Sequence, residues 1–379
     1  MDLDILRNRI NTMDDEIVKL FVERMQTAAK IAEEKAEKQL PVLDQKRENA
    51  VLQRVMEQAG DEFELYAKTM YHTMLEVSKS YQARLLNKET PLSAEILSNI
   101  REPKMEFPAK AIVACQGVEG SYAERACGKL FAIPNKMFFN SFESVFNAVE
   151  TGLCQYGVLP IENSSAGSVT EVYDLMVRHK FYIVKSLKLH INHVLVAKNG
   201  VKLSDIKEII SHEQALQQCS EFLKNSPNVS VKVFENTATA AKYIAECDRR
   251  DIAAIASPEC AKLYGLDILK DDVQNNQNNY TRFICIAKNM EIYAGANKIS
   301  LMLSVEHRPG SLHEMIGKVA CRGVNLSKLE SRPIPGKDFE FRFYFDLDGS
   351  VFSPQVVELL KDMEVSAEKL SFLGCYSEM

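Results

Sequence analysis

No cysteine precedes Cys115, and none of the nine stands in a C-x-x-C pair. An odd count without metal spacing excludes a disulfide framework and predicts free thiols in a reducing compartment. Glycine and proline are nearly missing from the first 88 residues, where only Gly60 and Pro41 occur. No apolar run approaches the roughly 20 residues of a membrane-spanning helix. The start, MDLDILRNRI, is acidic and amphipathic, unlike a signal peptide. A G-x-G-x-x-G or P-loop run is also missing, so no nucleotide cofactor is expected. Positive charge is not in excess: the net charge is -6. That excludes binding of nucleic acid through a basic surface, though not small basic pockets for anionic metabolites. The protein is expected in the cytoplasm.

The 379 residues are 46% hydrophobic and 26% charged, which suits two or three soluble domains. The opening region, rich in Ala, Leu, Glu, Lys, Met and Gln, predicts three helices. They run from about Leu3 to Gln39, where Leu40-Pro41 stops the first, from Gln45 to Gln58, and from Phe63 to Leu86. A first helix roughly 55 Å long cannot be covered within a monomer of this size. A second copy is its simplest partner. Residues 91–107, with Pro91 and Pro103, read as a linker. Short β-rich runs such as YGVLP and IAAIAS then alternate with helical stretches over 108–288, an α/β region. NMEIYAGANK reads as a second linker. Residues 298–379 give a β-α-β-β-α-β order. There Phe339, Phe341, Phe343 and Phe345 alternate with Glu340, Arg342, Tyr344 and Asp346, predicting one packed and one polar face.

An apolar stripe runs along the first helix through Leu6, Ile10, Met13, Ile17 and Leu20. Its next seat is Arg24, followed by Thr27, Ile31 and Lys35. Arg24 and Lys35 fall within about 20° of each other around the helix. Arg7 lies about 25 Å along the axis and roughly 100° around, so it reaches such a pocket only on a partner helix. The second helix adds Asp44, Arg47 and Glu48 on one face, and the third adds Ser78 and Gln82. The set suits a small ligand with two carboxylates and a hydroxyl. The competing reading of Arg24 is a snorkelling side chain or a structural ion pair, and AEEKAEKQ reads as a solvated face.

Carried by LRNRINTMDDEIVKLFVERM, Lys35, LPVLDQKRE and EVSKSYQ, this region resembles the helical chorismate mutases of bacterial aromatic biosynthesis. The resemblance implies an all-α, three-helix, intertwined dimer that rearranges chorismate to prephenate. Arg24 and Arg47 would grip substrate carboxylates, and Arg7 would come from the other subunit. Glu48 would take the hydroxyl, and Lys35 and Gln82 would donate to the breaking ether oxygen. Asp44 and Ser78 complete the implied site. The reaction is pericyclic, so holding the chair-like conformer and stabilising charge suffice.

Four signals stand out in the α/β region. GVEGSYAERA brings Ser121 to a helix start, where anions are favoured. LPIENSSAGSV crowds Glu162, Asn163 and Ser164 after a strand. ISHEQALQQC puts Ser211, His212 and Gln214 at a strand-to-helix junction, and NYTRFICIA puts Thr281 and Arg282 at the head of a strand. Ser211 and Thr237 also read as plain helix caps. His190 and His193 in HINH lack supporting metal ligands, so no metal is expected.

In order, these motifs, with SFESVFNAVE, NTATAAKYIA and AAIASPECAKLYGLDIL, resemble prephenate dehydratase. The implied fold is two α/β lobes around a cleft, similar to type II periplasmic binding proteins: 108–187 with 272–288, and 190–268. The implied reaction loses water and carbon dioxide from prephenate, with Thr281 as donor to the departing hydroxyl. Asn163, Ser211 and Gln214 would bind carboxylates and the keto group, with Ser121, Glu162, Ser164 and Thr237 beside them. Arg282 either holds a carboxylate or braces its strand.

RPGSLHEM and ESRPIPGKDFEFRFYFD resemble the ACT domain, a ferredoxin-like α+β unit. The resemblance implies a phenylalanine sensor in which Gly310, Ser311 and Leu312 open a helix. Glu330, Ser331, Arg332 and Pro333 would close the site across a subunit interface. A plain dimerisation sheet is the alternative. The expected organisation is therefore mutase 1–90, linker 91–107, dehydratase 108–288 and regulatory 298–379. Chorismate and prephenate are the expected substrates and phenylalanine the effector of a homodimer or higher oligomer. No cofactor, metal, nucleic acid or membrane is expected. The rival readings are a helical part that only dimerises, arogenate as dehydratase substrate, and a non-catalytic amino-acid sensor.

Overall fold

The computed structural model describes residues 2–38, 40, 44–86, 89–100, 106–334, 336 and 340–379, leaving aside the side chains of 45, 83 and 100. Pro41, Pro103 and Phe339 lie outside the described residues. Contacts divide the chain into two units. The first holds Met1–Ser98 and Met302–Leu370; the second holds Asn99–Leu301 and Ser371–Met379.

The first unit opens with three helices: α1 (Leu3–Glu37), α2 (Gln45–Ala59) and α3 (Glu64–Leu85). Asp2 and Asp44 cap the first two by accepting from Asp4 N and Arg47 N. Only Ala28 and Ala32 of α1 are buried. The apolar stripe upstream is bare: Ile10 is 56% and Ile17 51% exposed. A fourth helix, α4 (Pro91–Ile100), corrects the linker reading. Thr90 and Ser93 satisfy each other's backbone N–H through their hydroxyls, Pro91 sits at the first helical position, and Ile96 is fully buried.

The second unit carries two sheets. Its elements in chain order are β1 (Lys110–Gln116), α5 (Tyr122–Leu130), β2 (Ile133–Phe139), α6 (Phe142–Glu150), β3 (Tyr156–Asn163), β4 (Gly167–Ser168), α7 (Thr170–His179) and β5 (Tyr182–His190). Then come β6 (Val194–Ala197), β7 (Glu208–His212), α8 (Glu213–Gln218), α9 (Ser220–Lys224), β8 (Ser230–Phe234), α10 (Thr237–Glu246), β9 (Ile252–Ala256), α11 (Pro258–Tyr264), β10 (Asp267–Lys270) and β11 (Tyr280–Ala287). One sheet runs β5-β11-β3-β1-β2 and the other β10-β6-β9-β7-β8. Strands such as VLVA and IAAIA are buried on both faces, as expected where helices cover a sheet twice. The second linker reading is corrected too: Met290, Tyr293 and Ala296 are buried, and Phe107 packs on Tyr293.

The chain continues through β12 (Lys298–Ser304), α12 (Ser311–Cys321), β13 (Asn325–Pro333), β14 (Phe341–Asp348), α13 (Pro354–Ser366) and β15 (Lys369–Glu378). β13 pairs antiparallel with β14, and β14 lies between β13 and β12. The predicted packed and polar faces of β14 do not hold: Phe341 is 39% exposed while Tyr344 is 3% and Asp346 is buried. Within the first unit, α3 packs against α12 and α13. Ser80 Oγ donates to Asp362 Oδ2 at 2.7 Å, and Arg322 pairs with the same carboxylate. Within the second, the end of β15 pairs parallel with β5, Ser377 beside Lys185.

Candidate active sites

A cavity of about 590 Å³ opens among α1, α2 and α3. Arg24 and Lys35 line it from α1, Asp44, Arg47 and Glu48 from α2, and Ser78 and Gln82 from α3. The structure thus brings together every residue of the helical set except Arg7. That side chain is exposed and lies beside Asp4 at 3.5 Å, outside the cavity. Arg24 Nη1 is buried and has no hydrogen-bond partner among the described residues. Neither Arg24 nor Arg47 makes an ion pair there, so the structural ion-pair reading of Arg24 finds no support among them. Gln82 Nε2 lies 3.4 Å from Ser78 Oγ, and Asp44 is spent on the cap of α2.

Lys79 is the residue that sequence reasoning missed. It lines the cavity and pairs with Glu48 at 3.3 Å and with Glu76. Burial pulls the Lys79 pKa down, but hydrogen bonds and charge from Glu76 and Glu48 outweigh it and leave it above the usual value. The signal was its place between Ser78 and Gln82 in EVSKSYQ.

A second cavity, of about 360 Å³, lies within the second unit. Ser121, Asn163, Gln214, Thr237 and Thr281 line it. Ser121 caps α5, and its hydroxyl accepts from Glu124 N at 3.3 Å. Thr237 opens α10, but the cap is Asn236, which exchanges bonds with Thr239. Asn163 Nδ2 donates to Thr281 Oγ1 at 2.9 Å, which leaves the Thr281 proton available to another acceptor.

Four expected residues are not at this cavity. Ser211 is buried and donates to Ile255 O at 2.6 Å; the cap of α8 is His212, not Ser211. Ser164 bonds Asn278 O and Tyr280 N outside the cavity. Arg282 is buried with Glu378 at 2.7 Å, Tyr376 at 2.6 Å and Glu162 at 3.9 Å. Both Glu162 and Arg282 follow from strand pleating: neighbours in a strand face opposite ways, so Thr281 and Asn163 take the cavity side.

Sequence reasoning passed over Tyr122 and Gln218 and weighed His193 only as a metal ligand; all three also line the cavity. Gln218 Nε2 lies 3.3 Å from Asn163 Oδ1, and its Oε1 lies 3.0 Å from His193 Nε2. Burial lowers the His193 pKa below its usual 6.5. His190 bonds Gln277 O instead and does not join His193. Gly310 is the positive-φ cap of α12, and Ser311 Oγ donates to Arg308 O. Glu330, Ser331, Arg332 and Pro333 stand on β13, with Glu330 and Arg332 ion-paired.

A cation-rich pocket among three helices and a polar cleft around a threonine hydroxyl define an enzyme with two sites for small anions. The type II chorismate mutase family matches residues 6–83 and the prephenate dehydratase family residues 113–291. The bifunctional chorismate mutase/prephenate dehydratase of Escherichia coli K12 is 31% identical over 381 residues, spanning 98% of this chain and 95% of its own. Arogenate dehydratase/prephenate dehydratase 1 of Arabidopsis thaliana is 38% identical, spanning 71% of this chain and 72% of its own. The crystal structure of Arthrobacter aurescens prephenate dehydratase with L-Phe superposes with a TM-score of 0.64 at 31% identity. It covers 70% of this chain and 89% of that one. The chain belongs to the bifunctional chorismate mutase/prephenate dehydratase family. It converts chorismate to prephenate, and prephenate to phenylpyruvate with loss of water and carbon dioxide.

Proposed function

We propose that the helical cavity is the mutase site and the cleft of the second unit the dehydratase site. The observation that carries the first assignment is the buried, unpartnered Arg24 Nη1. A cation desolvated without a counter-ion is costly, and a substrate carboxylate offsets that cost. Arg24 and Arg47 hold the two carboxylates of chorismate. Lys35 and Gln82 donate to the ether oxygen as its bond breaks, where charge develops. Glu48, ion-paired with Lys79, accepts from the ring hydroxyl, and Ser78 and Asp44 support the wall. Arg7 enters from a second copy whose α1 covers the bare stripe.

In the dehydratase cleft Thr281 donates to the departing hydroxyl, polarised by Asn163. Ser121 at the start of α5, Gln214 and Thr237 bind the carboxylates and the keto group. Departure of carbon dioxide supplies the electron pair that completes the aromatic ring, so no separate base is needed. The fold here corresponds to two lobes of the type II periplasmic-binding-protein kind. Residues 298–379 act as an ACT unit that takes phenylalanine at Gly310, Ser311 and Leu312, with Glu330 to Pro333 from a second copy, and phenylalanine feeds back on both activities. The organisation follows as mutase 1–90, dehydratase 108–288 and regulatory 298–379. Among the described residues, no helix is long and apolar enough to cross a membrane.

A second reading, arogenate as dehydratase substrate, is raised by the Arabidopsis relative, whose name joins arogenate dehydratase with prephenate dehydratase. Parallel assays on prephenate and arogenate separate the two. The Thr281→Ala chain should lose at least about 100-fold in phenylpyruvate formation, the usual worth of a positioned acid. Its mutase rate should stay unchanged; full dehydratase turnover would remove Thr281 from the mechanism.

A further inference from the structure

We propose that His193 is a positioning residue that fixes the Gln218 amide with its oxygen inward and an N–H toward the cleft. Gln218 is thereby a donor to the anionic substrate of the dehydratase reaction. The inference rests on the assignment of this cleft to that reaction.

The atoms are assigned from two backbone amides. Ser165 N and Ala166 N both lie 2.9 Å from Asn163 Oδ1. A backbone N–H only donates, so that end of Asn163 is the oxygen. Asn163 Nδ2 then donates to Asn279 Oδ1 at 2.9 Å. Asn279, having accepted with its oxygen, gives Nδ2 to Gln218 Oε1 at 3.0 Å. Gln218 Nε2 closes the ring on Asn163 Oδ1 at 3.3 Å. Three amides thus point one way around a circuit whose weakest link is Gln218, because two backbone amides already occupy Asn163 Oδ1.

Gln218 Oε1 is an acceptor, so His193 Nε2, 3.0 Å away, is the nitrogen that carries the proton. Both lone pairs of Oε1 are then filled, by His193 and Asn279, each 2% exposed or less. What Gln218 has left is its second Nε2 proton, and Gln218 lines the cleft. His193 is held in turn. Its backbone N–H donates to Gln274 Oε1 at 2.9 Å, and its ring stands edge-on to Tyr122. Tyr122 sends its own proton to Asn192 O at 2.6 Å. Without the histidine, Oε1 keeps only Asn279 as a donor, and the amide is held less firmly with its N–H toward the cleft.

The test is a double-mutant cycle in the full-length protein, with mutase turnover as the internal control of folding. His193→Leu should lower dehydratase kcat/KM about 10- to 100-fold, the usual scale for an orienting partner. Because it acts through Gln218, the double variant with Gln218→Leu should be no worse than Gln218→Leu alone. His193→Gln, whose amide N–H reaches the place of Nε2, should restore most of the rate, and His193→Asn should not. Losses that multiply, an unaffected His193→Leu chain, or equal behaviour of the Gln and Asn variants would overturn the proposal. If His193→Leu does not fold, the Gln and Asn pair decides. Should none of the Thr281, Gln218 and His193 variants change dehydratase turnover, the assignment of the cleft fails instead. Loss in Thr281→Ala with a multiplying His193 cycle sinks the positioning role alone.

Discussion

Arg24 is half-buried and has one guanidinium nitrogen without a partner among the described residues, a stability cost that a bound carboxylate would offset. Arg24→Leu should therefore raise the stability of the helical region by about 0.5–2 kcal/mol in thermal unfolding. The same change should cut mutase kcat/KM by about 10²- to 10³-fold while dehydratase turnover holds. A second ion-rich spot behaves oppositely. Burial pushes the Glu378 pKa up, but Arg282 and the lysines beside it win and hold it below the ordinary 4.5. The folded carboxyl binds its proton less readily than the unfolded one. Its contribution is thus fully present above pH 4.5 and is lost as pH falls through the lowered value. Acid unfolding of Glu378→Gln should show a flatter dependence below pH 4.5 than the parent protein. At this scale the sequence was legible where a permanent cation interrupts an apolar stripe, as with Arg24. It was not legible where adjacent residues of one strand compete for one cleft. Thr281 and Arg282, or Asn163 and Glu162, face opposite ways, and no spacing says which side is hollow.

Helices α1, α2 and α3 begin and end within two residues of their sequence-read limits, because Asp caps, Pro41 and Gly60 leave few alternatives. The missed helix, α4, shows the limit of reading proline as punctuation: Pro91 starts it rather than preventing it. For β15 the deciding residue is Gly374. With φ at +141°, a Cβ there would sit 2.2 Å from Ile183 O, so the strand approaches β5 only because the side chain is missing. Gly374→Ala should destabilise the second unit by about 1–3 kcal/mol in denaturant unfolding, the usual range for overpacking. The mutase rate is the control that should not move.

At the scale of the whole molecule, the long α1 presents Leu6, Ile10, Met13, Ile17 and Leu20 to solvent in a single chain. In the proposed dimer a second copy covers this stripe, and the cavity that lacks Arg7 gives that copy a chemical duty. Ile17→Asp should shift the protein to smaller species in light scattering. Mutase turnover should fall with it and dehydratase turnover persist. An unchanged mass would count against the shared pocket. The organisation into two units was less legible, because sequence order suggested three consecutive blocks. Residues 302–370 instead group with the helical region, and 371–379 with the dehydratase.

That last grouping bears on how such a chain can be rearranged. Glu378 grips Arg282, the neighbour of Thr281, and Met379 N–H donates to Ser186 O. A stop codon after Leu370 would therefore not yield an unregulated dehydratase. It would strip Arg282 of its Glu378 partner, one residue from Thr281, and a loss of feedback measured that way could not be told from damage to the second unit. No single cut separates the two units, because 302–370 belongs with the helical region and lies in the chain between the two stretches of the second unit.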